Sequence, residues 1–162
     1  MRIRALLIPL LATLFAALPF TVAFAVDLTI TASGVVYVSG PKDGDQQAGE
    51  AFAAGAMVYL SATGTWLKAQ DDGTAVEAGQ NGIGMALSTA DAANARVSIA
   101  RPGAIVTIGT GTAGVIYTLS DNAGGLAPSA DNGSADKITP AALGIGTSQV
   151  LLIYGYNAGA VK

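Results

Sequence analysis

Beyond Asp27 the apolar residues fall in short runs punctuated by turn formers, and that rhythm is the strongest signal in the chain. Leu28-Thr29-Ile30-Thr31 alternates apolar and polar, the period-two mark of a half-buried strand. Val35 to Val38 is a β-branched and aromatic run of the kind a pleated surface favours. Gly40 to Gly49 follows, the most polar stretch of the chain, and reads as a loop. Met57 to Leu60 and Thr65 to Ala69 flank Ala62-Thr63-Gly64 and predict a hairpin. Ile83 to Leu87, Arg96 to Ala100 and Ala104 to Ile108 continue the series. Pro102-Gly103 offers Pro then Gly, as a type II turn requires, and predicts a second hairpin across it. Val115 to Leu119, Leu143 to Ile145 and Val150 to Tyr154 complete the set. After residue 27 no stretch shows a capped helical period, although Ala48 to Ala56 has room for a single helical turn. Short strands at spacings of about 8–12 residues predict an all-β chain: a small barrel or sandwich of short antiparallel strands.

Two segments repeat. Gly55-Ala56-Met57-Val58-Tyr59-Leu60-Ser61 resembles Gly114-Val115-Ile116-Tyr117-Thr118-Leu119-Ser120, and Gly82-Ile83-Gly84 matches Gly144-Ile145-Gly146. Two related β-motifs packed on one core would produce such a pattern. Chance would too, among hairpins built from Gly, Val, Tyr and Ser.

The start of the chain differs in kind. Residues 1–25 form an apolar N-terminal extension with Arg2 and Arg4 at its head, no charge from Ala5 to Ala25, and small residues at Ala23-Phe24-Ala25. A secretory signal has this anatomy. An apolar arm that packs on a partner, or a start misplaced upstream of Val26, fits the same residues. A membrane-spanning helix fits less well, because Pro9 and Pro19 interrupt a stretch barely ~20 residues long. The organisation is therefore residues 1–25 as that extension, 26–40 as an extended arm or first hairpin, and 41–162 as the β-domain.

Composition narrows the chemistry. Of the 162 residues 51% are hydrophobic and 12% are charged, the latter about half the usual share. Such a surface repels neighbours weakly and suits a chain packed in an assembly. The net charge is −3, and eight Lys plus Arg are scattered along the length. No basic stripe exists to neutralise phosphates, so nucleic acid is not an expected partner. Cysteine and histidine are both absent. That removes disulfides, Ser-His-Asp and Cys-His nucleophiles, and zinc sites built on imidazole or thiolate.

The remaining candidates read as structure. Asp43 and Asp45 resemble the start of a calcium loop, but no acidic residue stands where the loop's bidentate ligand belongs, so a solvated turn is expected. Asp71-Asp72-Gly73, Asp121-Asn122 and Asp131-Asn132-Gly133 carry ordinary turn residues. Asn132-Gly133-Ser134 fits a glycosylation acceptor only in a eukaryotic secretory setting. No Gly-Lys pair exists to build a phosphate loop, and Gly82-Ile83-Gly84 is too short for a dinucleotide fingerprint. Trp66 with Tyr59 could stack on a sugar, although at strand spacing such a pair more often belongs to a core or an interface. No catalytic, cofactor or metal residue is expected, and no small-molecule substrate.

In order along the chain, several of these segments resemble the small head decoration, or capsid cement, proteins of tailed bacteriophages. They are Asp27-Leu28-Thr29-Ile30-Thr31-Ala32, Ala48 to Leu60, Trp66-Leu67-Lys68-Ala69, Gly82 to Leu87, Gly114 to Ser120, Gly124 to Pro128, and Leu143 to Ser148. The likeness covers nearly all of 27–162, and residues 1–25 depart from it. The resemblance implies a non-enzymatic protein on the outer capsid surface of the virion. Its partners would be the major capsid protein and further copies of itself, as a homotrimer. The expected contact residues are Leu28, Thr29, Ile30, Thr31, Val35, Val36, Tyr37 and Val38. They form either an arm that adds to a neighbour's sheet or the first hairpin of the domain's own core. The rival expectation, taking residues 1–25 at face value, is a bacterial surface or fibre-type β-protein exported through a signal peptide.

Overall fold

A computed structural model describes residues 26–129 and 138–154. Among them the chain forms eleven strands. These are β1 (Val36–Ser39), β2 (Lys42–Gln47), β3 (Met57–Leu60), β4 (Trp66–Lys68), β5 (Ile83–Ala86) and β6 (Arg96–Ala100), followed by β7 (Ile105–Thr107), β8 (Ile116–Leu119), β9 (Leu126–Pro128), β10 (Pro140–Gly144) and β11 (Gln149–Leu152). All pairings between these strands are antiparallel. One sheet has the order β2-β6-β5-β3-β4, the other β1-β7-β11-β10-β8-β9, and the two pack as a sandwich.

The expected duplication is present in the topology. If β2 to β6 are taken as one unit and β7 to β11 as another, each places its first strand beside its fifth, then its fourth, second and third. β1 is an addition at the edge of the second unit, paired with β7. The registers agree as well. Val58 pairs with Lys68 and Gly84 in the first motif, while Tyr117 pairs with Pro128 and Ala142 in the second. Lys42 faces Ala100, which faces Met85, which faces Met57. In the second motif Ile105 faces Leu151, which faces Leu143, which faces Ile116.

Matching hydrogen bonds support the same alignment. The Gly55 N–H donates to Ala86 O and the Ala86 N–H to Ala56 O, at 2.8 and 2.9 Å. Their counterparts run from Gly114 N–H to Gly144 O and from Gly144 N–H to Val115 O, both at 2.8 Å. Gly55 and Gly114 hold φ of 91° and 81°, left-handed values that a side chain resists. Each closes a turn leading into the second strand of its motif, the Ala56 N–H reaching Ala53 O and the Val115 N–H reaching Thr112 O.

Strand alternation then decides where the core sits. Each sheet has a front face, carrying Val58 in the first motif and Tyr117 in the second, and a rear face, carrying Met57 and Ile116. Rear residues of the first motif (Met57, Tyr59, Ile83, Met85, Ala100) share one buried cluster with front residues of the second (Tyr117, Leu119, Leu126, Val150, Leu152). The motifs therefore stack front to back. The first motif's own front face, with Val58, Trp66, Val97 and Ile99, is capped by Ala48, Phe52 and Ala90 from its loops in a separate cluster. Phe52 and Ala90 exchange backbone hydrogen bonds of 3.0 and 2.8 Å to hold that cap.

Four expectations need correction. The polar stretch Gly40–Gly49 contains edge strand β2, bulged at Asp45, whose φ is 54°. It reads as a loop because it is polar on both faces, and an edge strand with no apolar face escapes a periodicity test. The Pro102-Gly103 turn forms, with the Ala104 N–H donating to Arg101 O at 3.0 Å. It joins no hairpin, however: β6 lies in one sheet and β7 in the other, so the turn is the seam between motifs. Gly82-Ile83-Gly84 and Gly144-Ile145-Gly146 are not equivalent, because the register sets Met85 against Leu143. Leu28 to Thr31 is not a strand, although its alternation holds: Leu28 and Ile30 pack on the core while Thr29 and Thr31 stay exposed.

Candidate functional site

Front-to-back stacking leaves one face with no second sheet against it among the described residues, although at its β8–β9 end Thr118 and Ala127 are buried. The rear face of the second motif points away from the first, and across it Ile105, Leu151, Leu143 and Ile116 form a single row over four strands. Ile116 is 44% exposed, and Ile145, one turn beyond β10, is 42% exposed. Ile105, Leu143 and Leu151 are half-buried. β1 extends the face, because Val36 pairs beside Thr107 and is 56% exposed. Val38, next to the bulge in that pairing, is also exposed. Thr107, Gln149 and the buried Thr118 are the polar members, and none of the residues named here is charged.

In the first motif the equivalent row is Lys42, Ala100, Met85 and Met57, and the last three are 0%, 0% and 1% exposed. There it is covered by the second motif. The same register and strand spacing thus leave open in the second motif a row that is buried in the first. Contiguous exposed apolar surface of this kind marks a contact region more often than a neutral surface.

The residues expected from sequence to make contacts divide between two roles. Val36 and Val38 belong to the open face, and Tyr37 and Val35 turn inward and pack on the core. Leu28 and Ile30 also pack on the core, the Leu28 N–H donating to Leu126 O at 2.7 Å. Thr29 accepts from the Thr110 hydroxyl at 2.9 Å, and Thr31 is exposed. The chain's own β7 pairs with Val36–Ser39, so this segment is bound within its own sandwich. Sequence reading did not single out Ile105, Ile116, Leu143, Ile145 and Leu151 as members of one open apolar row. Their alternation was visible, but which of the two strand faces lay outside depends on how the sheets stack.

Among the described residues the carboxylates fall at several separate places, with Glu50 and Glu77 both near Tyr59. Asp43 pairs with Arg101 at 3.5 Å on the edge of the first motif. Asp71 is buried and Asp72 exposed, so adjacent side chains point apart and share no substrate-facing side. Asp27 accepts from Ser120 Oγ at 2.5 Å and Asn122 Nδ2 at 2.8 Å, which ties the entering segment to the turn after β8. A shallow pocket beside it is lined mainly by Ala, Gly and Leu. Trp66 and Tyr59 lie on opposite faces of the first sheet, in different clusters, so they form no stacking platform. The Trp66 indole N–H instead donates to Gln46 Oε1 at 3.1 Å. Burial raises the Tyr59 phenol above its ordinary value, with Glu77 and Glu50 adding to the effect.

Among the described residues no group of three or more His, Cys, Asp or Glu could hold a metal ion. No helix among them is long and apolar enough to cross a membrane. Asp131, Asn132, Gly133 and Ser134 lie outside the described residues, as does the extension 1–25. No protein-family model, curated protein or solved structure matches the chain.

Proposed function

We propose that this protein works by contact area, as a capsid decoration protein that binds the outer surface of a phage head and stabilises it by bridging major capsid subunits. The observation that carries the reading is the uncharged aliphatic face of the second motif. The ordered resemblance of residues 27–162 to head decoration proteins supplies the partner. A packaged genome pushes a shell outward, and a molecule gripping several subunits must be pulled from all of them before they separate. Multivalency turns modest single contacts into strong retention. β1 and β2 suit crowding on such a shell: both are short edge strands with bulges, and β2 is charged, which discourages runaway strand pairing.

The test is cosedimentation of the purified chain with heads of the phage that encodes it, before and after packaging expansion. Saturable binding at a fixed ratio to the major capsid protein is expected. Recovery of the chain entirely in the supernatant at every concentration rejects the reading.

A second reading rests on Arg2, Arg4 and the small residues Ala23-Phe24-Ala25, which together have the layout of an export signal. On that reading the chain is a bacterial surface or fibre-type β-protein. Peptide mapping after bacterial expression separates the two: cleavage behind Ala25 with periplasmic recovery favours export, and an intact Met1 or Arg2 terminus excludes it.

A further inference from the structure

The stacked motifs end differently. At the front, loops carrying Ala48, Phe52 and Ala90 close over the first motif. At the rear, the row Ile105-Leu151-Leu143-Ile116 lies open beside Val36 and Ile145. Repeat proteins need a polar cap at each end to stay dispersed, and among the described residues only the front end carries a cap of loops.

We propose that the rear face of the second motif is a self-association surface, covered in solution by the rear face of a second copy of this chain. Three observations select that occupant. First, the equivalent row of the first motif is buried within the chain against the front face of the second motif, so a row at this register is one that another sheet can cover. Second, the one surface that covers a rear face inside the chain is a front face, and both front faces are occupied: the second motif's by the first motif, the first motif's by its loops. Another copy therefore has only its own rear face to offer, and the contact closes on itself instead of propagating into a fibre. Third, the face carries no Lys or Arg, which an anionic lipid surface would need.

Size sets the strength. Four to five strands at about 4.8 Å spacing, with two or three outward side chains on each, cover a few hundred Å². A stable standard interface needs roughly 800 Å² per partner. The association is therefore reversible, a contact that forms when copies are concentrated and dissociates on dilution. Crowding on a shared surface would supply that concentration, although association in free solution does not depend on the capsid reading.

The experiment is sedimentation velocity on the full chain over a hundred-fold range of concentration, with Ile116→Lys and Val36→Lys as two separate variants. Thr63→Lys, in the exposed β3–β4 turn, is the control for added charge. Both face variants replace exposed side chains, and circular dichroism melts establish that they fold. The expected result is a dimer whose fraction grows with concentration in the wild type and in Thr63→Lys. In Ile116→Lys and Val36→Lys the midpoint should move at least ten-fold higher. A wild type that stays monomeric across the range overturns the proposal, and so does an oligomer that the two face variants leave unchanged. Cosedimentation with heads is scored separately on the same proteins. A failed self-contact with intact head binding counts against this face alone, and the converse counts against the capsid reading alone.

Discussion

Met57, Met85 and Ala100 occupy one row of the first motif, and Ile116, Leu143 and Leu151 occupy the same row of the second. The backbone around them is alike in strand order, register and flanking turn. The first row is at most 1% exposed, and the second is open or half-open. Side-chain type does not explain the difference, because the row left outside is the more uniformly aliphatic of the two. Position in the stack decides it: the first motif has the second behind it, whereas among the described residues no second sheet lies behind Ile116, Leu143 and Leu151. An exposed row richer in Ile and Leu than its buried counterpart is the reverse of what solubility favours. The proposed self-contact accounts for it.

Truncating the fourth strand of each motif should separate the rows most sharply. Met85→Ala removes a fully buried side chain between the sheets, and a loss of about 2–5 kcal/mol is expected. Leu143→Ala removes a half-exposed one, and should cost about 1 kcal/mol or less. Urea denaturation of both variants measures the gap, and equal losses would mean that the second row is covered in the monomer.

The paired turn glycines come next. Gly114 has open space around its Cα, so Gly114→Ala carries the left-handed backbone strain alone, about 1 kcal/mol. A Cβ on Gly55 would overlap Ile30 Cγ2 and touch Val35 Cγ2, adding a further ~1–3 kcal/mol of overpacking. The same denaturation experiment checks this. Equal costs would mean that the segment carrying Ile30 and Val35 does not lie over the first motif's turn.

The smallest effect is on alkaline stability. Tyr59 stands where the second motif has Thr118 and is the member of that pair that titrates. Its phenol is raised by burial first and by Glu77 and Glu50 second, so the fold favours the neutral form. Stability from this group is complete below the unfolded value of about 10. It is lost as the pH climbs through the higher folded value, because the unfolded chain releases its proton first. Tyr59→Phe should flatten the decline of the melting temperature above pH 10 and leave it unchanged near neutrality. An identical alkaline decline in the variant would contradict that.

Local pattern carried much of the fold. The Gly55–Ser61 and Gly114–Ser120 likeness located β3 and β8, and these two strands are equivalent in pairing as well as in sequence. The turn at Pro102-Gly103 was legible because its chemistry is local; its destination was not, because a turn does not say which sheet receives the next strand. β2 escaped notice for lack of an apolar face, and β9 (Leu126–Pro128) for its brevity and its Pro. The open face was half legible. Alternation shows that Ile116 and Tyr117 point opposite ways, but only the stacking of two motifs shows that Tyr117 goes in.

The most direct measurement uses the absence of native cysteine. Met57→Cys and Ile116→Cys place a thiol at equivalent positions of the two motifs, and maleimide labelling reads access to each. Ile116→Cys should label at close to the rate of a free thiol in dilute protein and slow as protein concentration rises, while Met57→Cys stays protected at both. Equal rates at the two positions, or an Ile116→Cys rate that ignores protein concentration, would contradict an open second row that closes against its own kind.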